Sequence, residues 1–210
     1  MRNQRIQIMV ELALCVAVST VLNFIRLPIS IAGGSISMVM LPIAIIALRR
    51  GPLVGATAGC VFGLLDLLMD PYILAPAQVL LDYPVPYLLF GLGVGIFHNI
   101  YRADKVAAAS DAKNLWAKMM SRRIMTIVFS TIFGAALRYV SHVLSGVLFF
   151  AEYAPAGQNV WAYSLIYNAT YIVGSLMAIM WAAMILMPIL DNVAPVPQTV
   201  SSIGSASSAS

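Results

Sequence analysis

Apolar residues fill this chain in long blocks that are separated by short polar stretches. The first block, residues 6–25, contains 20 residues and a single charge at Glu11, and roughly 20 apolar residues are what a helix needs to cross a bilayer. The other blocks cover residues 38–48, 52–69, 75–101, 124–150 and 161–190. The pattern predicts an all-α integral membrane protein with six transmembrane helices, the second of them short.

The stretches between the blocks predict loops and a tail. Residues 27–37, with Gly33 near their centre, indicate a loop or a re-entrant segment, and residues 102–123 form a hydrophilic connection. Residues 191–210 end in Ser/Ala/Gly repeats that cannot build a core, which predicts a disordered cytoplasmic tail. A charged N-terminus before an apolar run is also typical of a signal peptide, but the length of the first block favours a retained helix. The predicted domains are thus a membrane domain, 1–190, and the tail.

The composition excludes a soluble protein. Hydrophobic residues make up 61% of the chain and charged residues 10%, against roughly 25% charged in an average soluble protein. The net charge of +4 does not indicate nucleic-acid binding, because the basic residues lie between apolar blocks and are not interleaved with exposed aromatics. Ten of the twelve fall on one side when the N-terminus is cytoplasmic, namely Arg2, Arg5, Arg49, Arg50, Arg102, Lys105, Lys113, Lys118, Arg122 and Arg123. The positive-inside rule therefore predicts that both termini are cytoplasmic.

Three polar residues lie where a bilayer should not tolerate them. At about 1.5 Å per helical residue, Asp82, His142 and Asn168 lie on three different predicted helices, roughly 10–12 Å below the outer surface. Ionisable residues at such depth are costly and are functional candidates by default. Asp66 and Asp70, at the end of another span, are better explained as solvated helix ends. We therefore predict that the three residues meet in one outward-facing site.

Aromatic side chains surround this predicted site. Tyr83 adjoins Asp82, Tyr163 begins the last helix, and Phe150 precedes the loop before it. The combination predicts a pocket for a flat, polar, cationic ligand, although a belt of aromatics at the membrane interface explains the rings equally well. Arg138 lies one helical turn from His142, where it closes the pocket floor through a salt bridge or pins its helix to neighbours.

The remaining motifs concern mechanism and partners. Ala13 and Ala17, four residues apart on the first helix, allow another helix to approach closely. No hydrolase, metalloprotease or Walker motif is present, so an ATP-driven step must occur in another polypeptide. Two alternatives stay open: a self-sufficient transporter in which Asp82 and His142 relay protons, and a membrane-embedded enzyme that uses the same pair, which the missing motifs disfavour.

Several stretches together resemble the thiamine-binding S components of energy-coupling factor (ECF) transporters. The resemblance covers about residues 5–190 and rests on LP at 41–42, ALRRG at 47–51, YIL at 72–74, QVLLDY at 78–83, RYVSH at 138–142, SG at 145–146 and WAYSL at 161–165 with Asn168. It implies a thiamine binder in a bacterial-type plasma membrane, without a cofactor or an ATPase of its own. The implied partners are a T component, which the Ala13/Ala17 motif contacts, and two ATPase subunits.

The resemblance also implies which residues bind the ligand. Substrate-binding positions of the family correspond here to Asp82, Tyr83, His142, Tyr163, Asn168, Tyr72, Phe150 and Arg138. Thiamine joins an aminopyrimidine, which suits a carboxylate or amide, to a cationic thiazolium, which suits aromatic faces and negative charge. Gly33, Ser37 and Phe150 stand where the family can place Trp, Glu and Trp, and Asp82 is one methylene shorter than the usual Glu. A thiamine phosphate, a pyrimidine or thiazole precursor, or a related heterocycle is therefore an alternative ligand.

Overall fold

The structure, a computed structural model, describes residues 2–28, 35–103 and 115–193. Its helices are α1 (Arg2–Asn23), α2 (Met40–Arg50), α3 (Pro52–Met69), α4 (Pro76–Asp82), α5 (Pro84–Gly95), α6 (Leu115–Phe149) and α7 (Val160–Val193). The strands are β1 (Arg26–Pro28) and β2 (Ser35–Ser37). A short 3₁₀ helix over Ala151–Tyr153 links α6 to α7, and residues 98–103 are again helical.

The predicted membrane architecture is confirmed. Five helical stretches of the described chain are long and apolar enough to cross a bilayer, namely Asn3–Asn23, Pro52–Met69, Pro76–Ala103, Arg122–Phe149 and Val160–Val193. The second helix, α2, has 11 residues and is therefore only about 16 Å long. It is nearly all buried, so it fills the bundle instead of facing lipid.

The predicted loop before α2 contains regular structure at both ends. β1 and β2 form an antiparallel pair in which Arg26 lies opposite Ser37 and Leu27 opposite Ile36. Arg26 also forms a salt bridge with Asp70 at 2.9 Å, which ties this hairpin to the end of α3. Gly33 lies outside the described residues.

The predicted fourth span is not one continuous helix, and its first break lies at Tyr83. α4 ends at Asp82, and Tyr83 takes the non-helical angles φ −114° and ψ −83° before α5 begins at Pro84. A residue before proline is disfavoured in the helical region and proline has no N–H to donate, so the chain breaks here. The break makes Asp82 the last residue of a short helix.

α3 and α5 pack backbone to backbone. Gly55, Gly59 and Gly63 recur every four residues along one face of α3. A Cβ atom built on Gly55 would lie 2.6 Å from the carbonyl oxygen of Gly91, and one on Gly63 would lie 2.5 Å from that of Tyr83. No larger side chain fits in this seam, so the glycines fix how closely the two helices approach.

The last helix extends further than the hydropathy pattern predicts. Asp191, which the sequence analysis assigned to the tail, belongs to α7 and is only 6% exposed. Its carboxylate accepts from Arg49 at 3.1 Å and from the Tyr101 hydroxyl at 2.7 Å. Likewise, α6 begins at Leu115 and not near residue 124. Residues 194–210 lie outside the described residues.

The two arginines that close α2 are buried. Arg49 reaches α7 through Asp191, and Arg50 forms two hydrogen bonds with Glu11 of α1, one of them 2.6 Å long. The intramembrane charge at Glu11 is thereby paired. These ion pairs hold the C-terminal end of α2 against the middle of α1 and the C-terminal end of α7, at the side of the bundle that the positive-inside rule assigns to the cytoplasm.

Candidate substrate-binding site

Asp82 and His142 meet at the opposite end of the bundle, as predicted. Asp82 Oδ1 lies 3.5 Å from His142 Nδ1, and the two side chains are 19% and 11% exposed. The second oxygen of Asp82 accepts a 2.6 Å hydrogen bond from Gln78 Nε2, one turn earlier on α4. Gln78 is buried and also bonds to both the carbonyl of Tyr72 and the N–H of Leu74. The carboxylate is therefore held by a buried amide and faces an imidazole.

Arg138 contacts the other ring nitrogen of His142. Among the described residues, it forms no salt bridge. Its Nε donates to His142 Nε2 at 3.2 Å, and its Nη1 lies 3.3 Å from the sulfur of Met40. The guanidinium also lies over the ring of Tyr87, 5.1 Å from its centre. Of the two predicted roles, the observed contacts support the second, because Arg138 joins α6 to α2 and α5 and its bond to His142 is not a salt bridge.

Asn168 reaches the site through a tyrosine. Its Nδ2 donates to the carbonyl of Ser164 at 2.9 Å, and its Oδ1 accepts from the hydroxyl of Tyr171. The Tyr171 ring meets the His142 ring edge-on with centroids 6.1 Å apart. Asp82, His142 and Asn168 are thus connected, although the Asn168 amide already has intramolecular partners.

A row of three tyrosines runs along α7 next to Asn168. Tyr163 stacks on Tyr167 with ring centres 6.0 Å apart, and Tyr167 packs edge-on against Tyr171 at 5.8 Å. The spacing of four residues places all three on one face of the helix. The predicted site residue Tyr163 therefore lies at one end of a row of aromatic rings that leads to His142.

The loops at this end of the bundle are joined by a second aromatic cluster. Tyr72 stacks on Phe150 with ring centres 5.9 Å apart, and its hydroxyl lies 2.7 Å from that of Tyr153. This hydrogen bond raises the pKa of the exposed Tyr72 above its ordinary value. Two predicted site residues, Tyr72 and Phe150, are thus brought together next to a tyrosine that the sequence analysis did not select.

Tyr83 and Ser37 have structural partners. The Tyr83 hydroxyl donates to the carbonyl of Asp70 at 2.9 Å and accepts from the N–H of Tyr72 at 2.8 Å, so it holds the loop between α3 and α4. The Ser37 N–H donates to Ser175 Oγ at 3.1 Å, and its hydroxyl accepts from the N–H of Val39.

The interpretation of Asp66 as a solvated helix end is wrong. Its carboxylate is 9% exposed and accepts from Asn23 Nδ2 and from the Tyr87 hydroxyl, each at 2.7 Å. Asp70, by contrast, is exposed and pairs with Arg26. Two hydrogen-bond donors, one from α1 and one from α5, offset the free-energy cost of burying the Asp66 carboxylate.

Sequence reasoning missed several residues of this region. Gln78 could have been found, because it precedes Asp82 by one turn, and Tyr171 could have been found from its four-residue spacing to Tyr167. Nothing in the sequence distinguishes the buried Asp66 from the exposed Asp70 four residues later, since their partners come from distant parts of the chain.

Ala13 and Ala17 lie far from this site along α1. Both are exposed, and both line an open groove of about 540 Å³ between α1 and α3. Its other walls are formed by Leu12, Val16, Thr20, Val61 and Leu65. The groove is apolar and floored by small side chains, a shape that accepts the surface of another helix.

The chain resembles known proteins over most of its length. The profile of a family described as "Thiamine transporter protein (Thia_YuaJ)" matches residues 9–194. The thiamine transporter ThiT of Bacillus subtilis (strain 168) is 36% identical over 173 residues, which are 80% of this chain and 83% of that protein. ThiT of Lacticaseibacillus paracasei is 30% identical over 202 residues, covering 92% of this chain and 91% of that protein.

A solved structure has the same fold. The structure of ThiT from Listeria monocytogenes matches with a TM-score of 0.77 and 31% sequence identity, over 91% of this chain and 98% of that chain. The family match spans the membrane helices and every residue of the Asp82–His142 site. The chain therefore belongs to the thiamine transporter (Thia_YuaJ) family.

Proposed function

We propose that this membrane protein binds thiamine at its outer end, among α4, α6 and α7, and serves as the substrate-binding S component of an ECF transporter. The observation that carries the proposal is the Asp82 carboxylate, which is positioned by Gln78 and lies beside His142. It offers hydrogen-bond acceptors and a negative charge at the edge of two aromatic clusters. The names of the family and of its relatives support thiamine as the ligand.

The chemistry of thiamine suits these groups. The aminopyrimidine donates N–H groups that a carboxylate accepts, and charge-assisted bonds of this kind are the stronger ones. The thiazolium cation is attracted to aromatic faces such as those of Tyr163 and Tyr167. At Asn168 a ligand has to replace existing bonds to Ser164 and Tyr171, so any gain there is a difference between two sets of hydrogen bonds.

A ligand titration tests this proposal. Purified protein is titrated with thiamine, with its mono- and diphosphate and with its pyrimidine precursor, following heat or the fluorescence of Trp161. We expect saturable thiamine binding that exceeds that of the pyrimidine precursor, since the precursor lacks the thiazolium cation. Tighter binding of the precursor or of a phosphate ester would instead assign that compound as the ligand.

We further propose that import needs separate subunits and that both termini face the cytoplasm of a bacterial-type cell. The expected partners are a T component and two ATPases, and the chain itself acts as a carrier component and not as an enzyme. Reconstituted into liposomes, the purified chain alone should bind thiamine without accumulating it. Adding the T component and the ATPases with ATP should produce accumulation.

The contact between Asp82 and His142 also favours one rival. Two titratable groups at 3.5 Å can exchange a proton, as a self-sufficient proton-coupled transporter of thiamine or of a precursor requires. Uptake by the chain alone that follows an imposed pH gradient would establish this rival. Uptake that requires ATP and the partner subunits would exclude it.

A further inference from the structure

The contact between Arg138 and His142 determines which imidazole nitrogen carries a proton. Arg138 Nε lies 3.2 Å from His142 Nε2, and a guanidinium has N–H donors but no acceptor. Nε2 must therefore accept, so the single proton of the neutral ring lies on Nδ1. That nitrogen faces Asp82 Oδ1 at 3.5 Å, and the imidazole presents an N–H group to the carboxylate.

Arg138 is itself held from the side remote from His142. Its guanidinium lies over the Tyr87 ring, and the Tyr87 hydroxyl donates to Asp66 at 2.7 Å. The other Asp66 oxygen accepts from Asn23 at 2.7 Å. All three supporting residues are at most 9% exposed. A phenol that donates to a carboxylate gains electron density in its ring, and a cation above that ring is attracted more strongly.

We infer that Tyr87 and Asp66 are positioning residues, which hold Arg138 where it keeps His142 in the Nδ1–H tautomer facing Asp82. Neither residue contacts the side chain of Asp82 or of His142 within hydrogen-bonding distance; they act through Arg138. Without this support, Arg138 can withdraw from Nε2 and the ring can exchange its proton between the two nitrogens.

The tautomer matters for a ligand at Asp82. In the Nε2–H form, the ring would present a lone pair to the carboxylate, and the two groups would repel each other. Asp82 would then turn away from the position that Gln78 and His142 give it. This consequence rests on the proposed function, whereas the tautomer itself is a property of the protein without ligand.

The chain offers an unusually clean measurement, because it contains only two histidines. Full-length protein labelled with ¹⁵N-histidine gives imidazole signals from His142 and from His98. His98 Nδ1 lies 2.7 Å from the carbonyl of Leu48 at the opposite end of the bundle, so it serves as an internal reference. In the ligand-free wild-type protein, we expect His142 to carry its proton on Nδ1 alone.

Tyr87→Phe is the principal variant, since it keeps the ring under Arg138 and removes the hydroxyl that bonds to Asp66. We expect the His142 signals to move toward a mixture of tautomers while the His98 signals stay unchanged. Thiamine affinity should fall roughly three- to tenfold, the usual effect of one weakened hydrogen bond. Asp66→Asn removes the charge with little change of shape and should act in the same direction.

Tyr101→Phe is a closely matched control. Tyr101 is also buried, donates its hydroxyl to a buried carboxylate at 2.7 Å and lies under an arginine, Arg123, at 5.8 Å. It stands at the other end of the bundle, so its loss should leave both the His142 signals and the thiamine affinity as in the wild type.

Three results separate the possibilities. A wild-type spectrum with the His142 proton on Nε2 would overturn the inference without any variant. Wild-type His142 signals in a folded Tyr87→Phe or Asp66→Asn protein would also overturn it. If the expected tautomer shifts occur in a protein that does not bind thiamine, the inference holds and the proposed function fails.

Discussion

Asp82 is the residue on which the proposed site depends most, because it combines charge, partial burial and fixed geometry. Its two oxygens face a buried amide and an imidazole, so its orientation is determined before a ligand arrives. A preorganised carboxylate loses little freedom when it binds, and the negative charge favours a cationic ligand.

Asp82→Asn should therefore weaken thiamine binding by at least about tenfold, since a partly buried charge-assisted hydrogen bond becomes a neutral one. The measurement is a calorimetric titration of folded protein. Asp70→Asn is the control, because Asp70 lies at the same end of the bundle but is exposed and pairs with Arg26. Wild-type affinity in Asp82→Asn would remove this carboxylate from the site.

Sequence reasoning identified those residues whose placement in a membrane span is energetically costly. Asp82 and His142 stood out because charged groups in a membrane span are expensive, and the structure brings them together. Asp66 was misjudged because a carboxylate near the end of a span is equally compatible with water. Its buried donors, Asn23 and Tyr87, lie 43 and 21 residues away in the chain.

Among the helices, α3 and α5 form a seam that leaves no room for side chains larger than glycine. The two backbones touch through Gly55, Gly59 and Gly63, and this contact sets the position of Tyr87 and of the break at Tyr83. A rigid seam suits a protein whose site residues come from the short helix α4 and from the long helices α6 and α7.

Gly59→Ala should destabilise the protein by about 1–3 kcal/mol, because the added methyl group meets the Tyr87 carbonyl, which belongs to backbone and cannot move aside. The thermal midpoint in detergent should fall accordingly. Thr57→Val, on the exposed face of the same helix, should leave the midpoint nearly unchanged. An unaltered midpoint in Gly59→Ala would mean that the seam opens more easily than the packing indicates.

Hydropathy predicted the order of the apolar segments along the chain, but not the breaks within them or the ends of the helices. The length of an apolar run indicates the length of the helix, and the short second run predicted the short helix α2. The break before Pro84 was not predicted, because the apolar character of residues 75–101 favoured one span although Asp82 and Pro84 lie within it. The end of α7 depends on Asp191 meeting Arg49 from another helix, and hydropathy carries no information on such long-range pairing.

For the molecule as a whole, the proposed ligand site and the Ala13/Ala17 groove occupy different surfaces. The groove lies between α1 and α3, while the residues around Asp82 come from α4, α6 and α7. Binding of thiamine and docking of a partner helix should therefore be separable by mutation.

Ala13→Trp should leave thiamine binding intact and abolish ATP-driven uptake by the assembled transporter, because an indole fills the floor of the groove. Leu14→Trp is the control, since Leu14 is 64% exposed on the same helix and does not line the groove. Uptake is measured with radiolabelled thiamine in proteoliposomes. Undiminished uptake by Ala13→Trp would show that the T component docks elsewhere.

The contacts of Asp191 with Arg49 and Tyr101 also affect where the chain can be truncated or fused. The apolar stretch of the last span stops at residue 190, and a designer who trusts hydropathy would place a tag or a terminus there. Such a cut would deprive Arg49 and Tyr101 of their shared carboxylate and loosen three segments at once. A safe junction therefore lies beyond Val193, where the described helix ends.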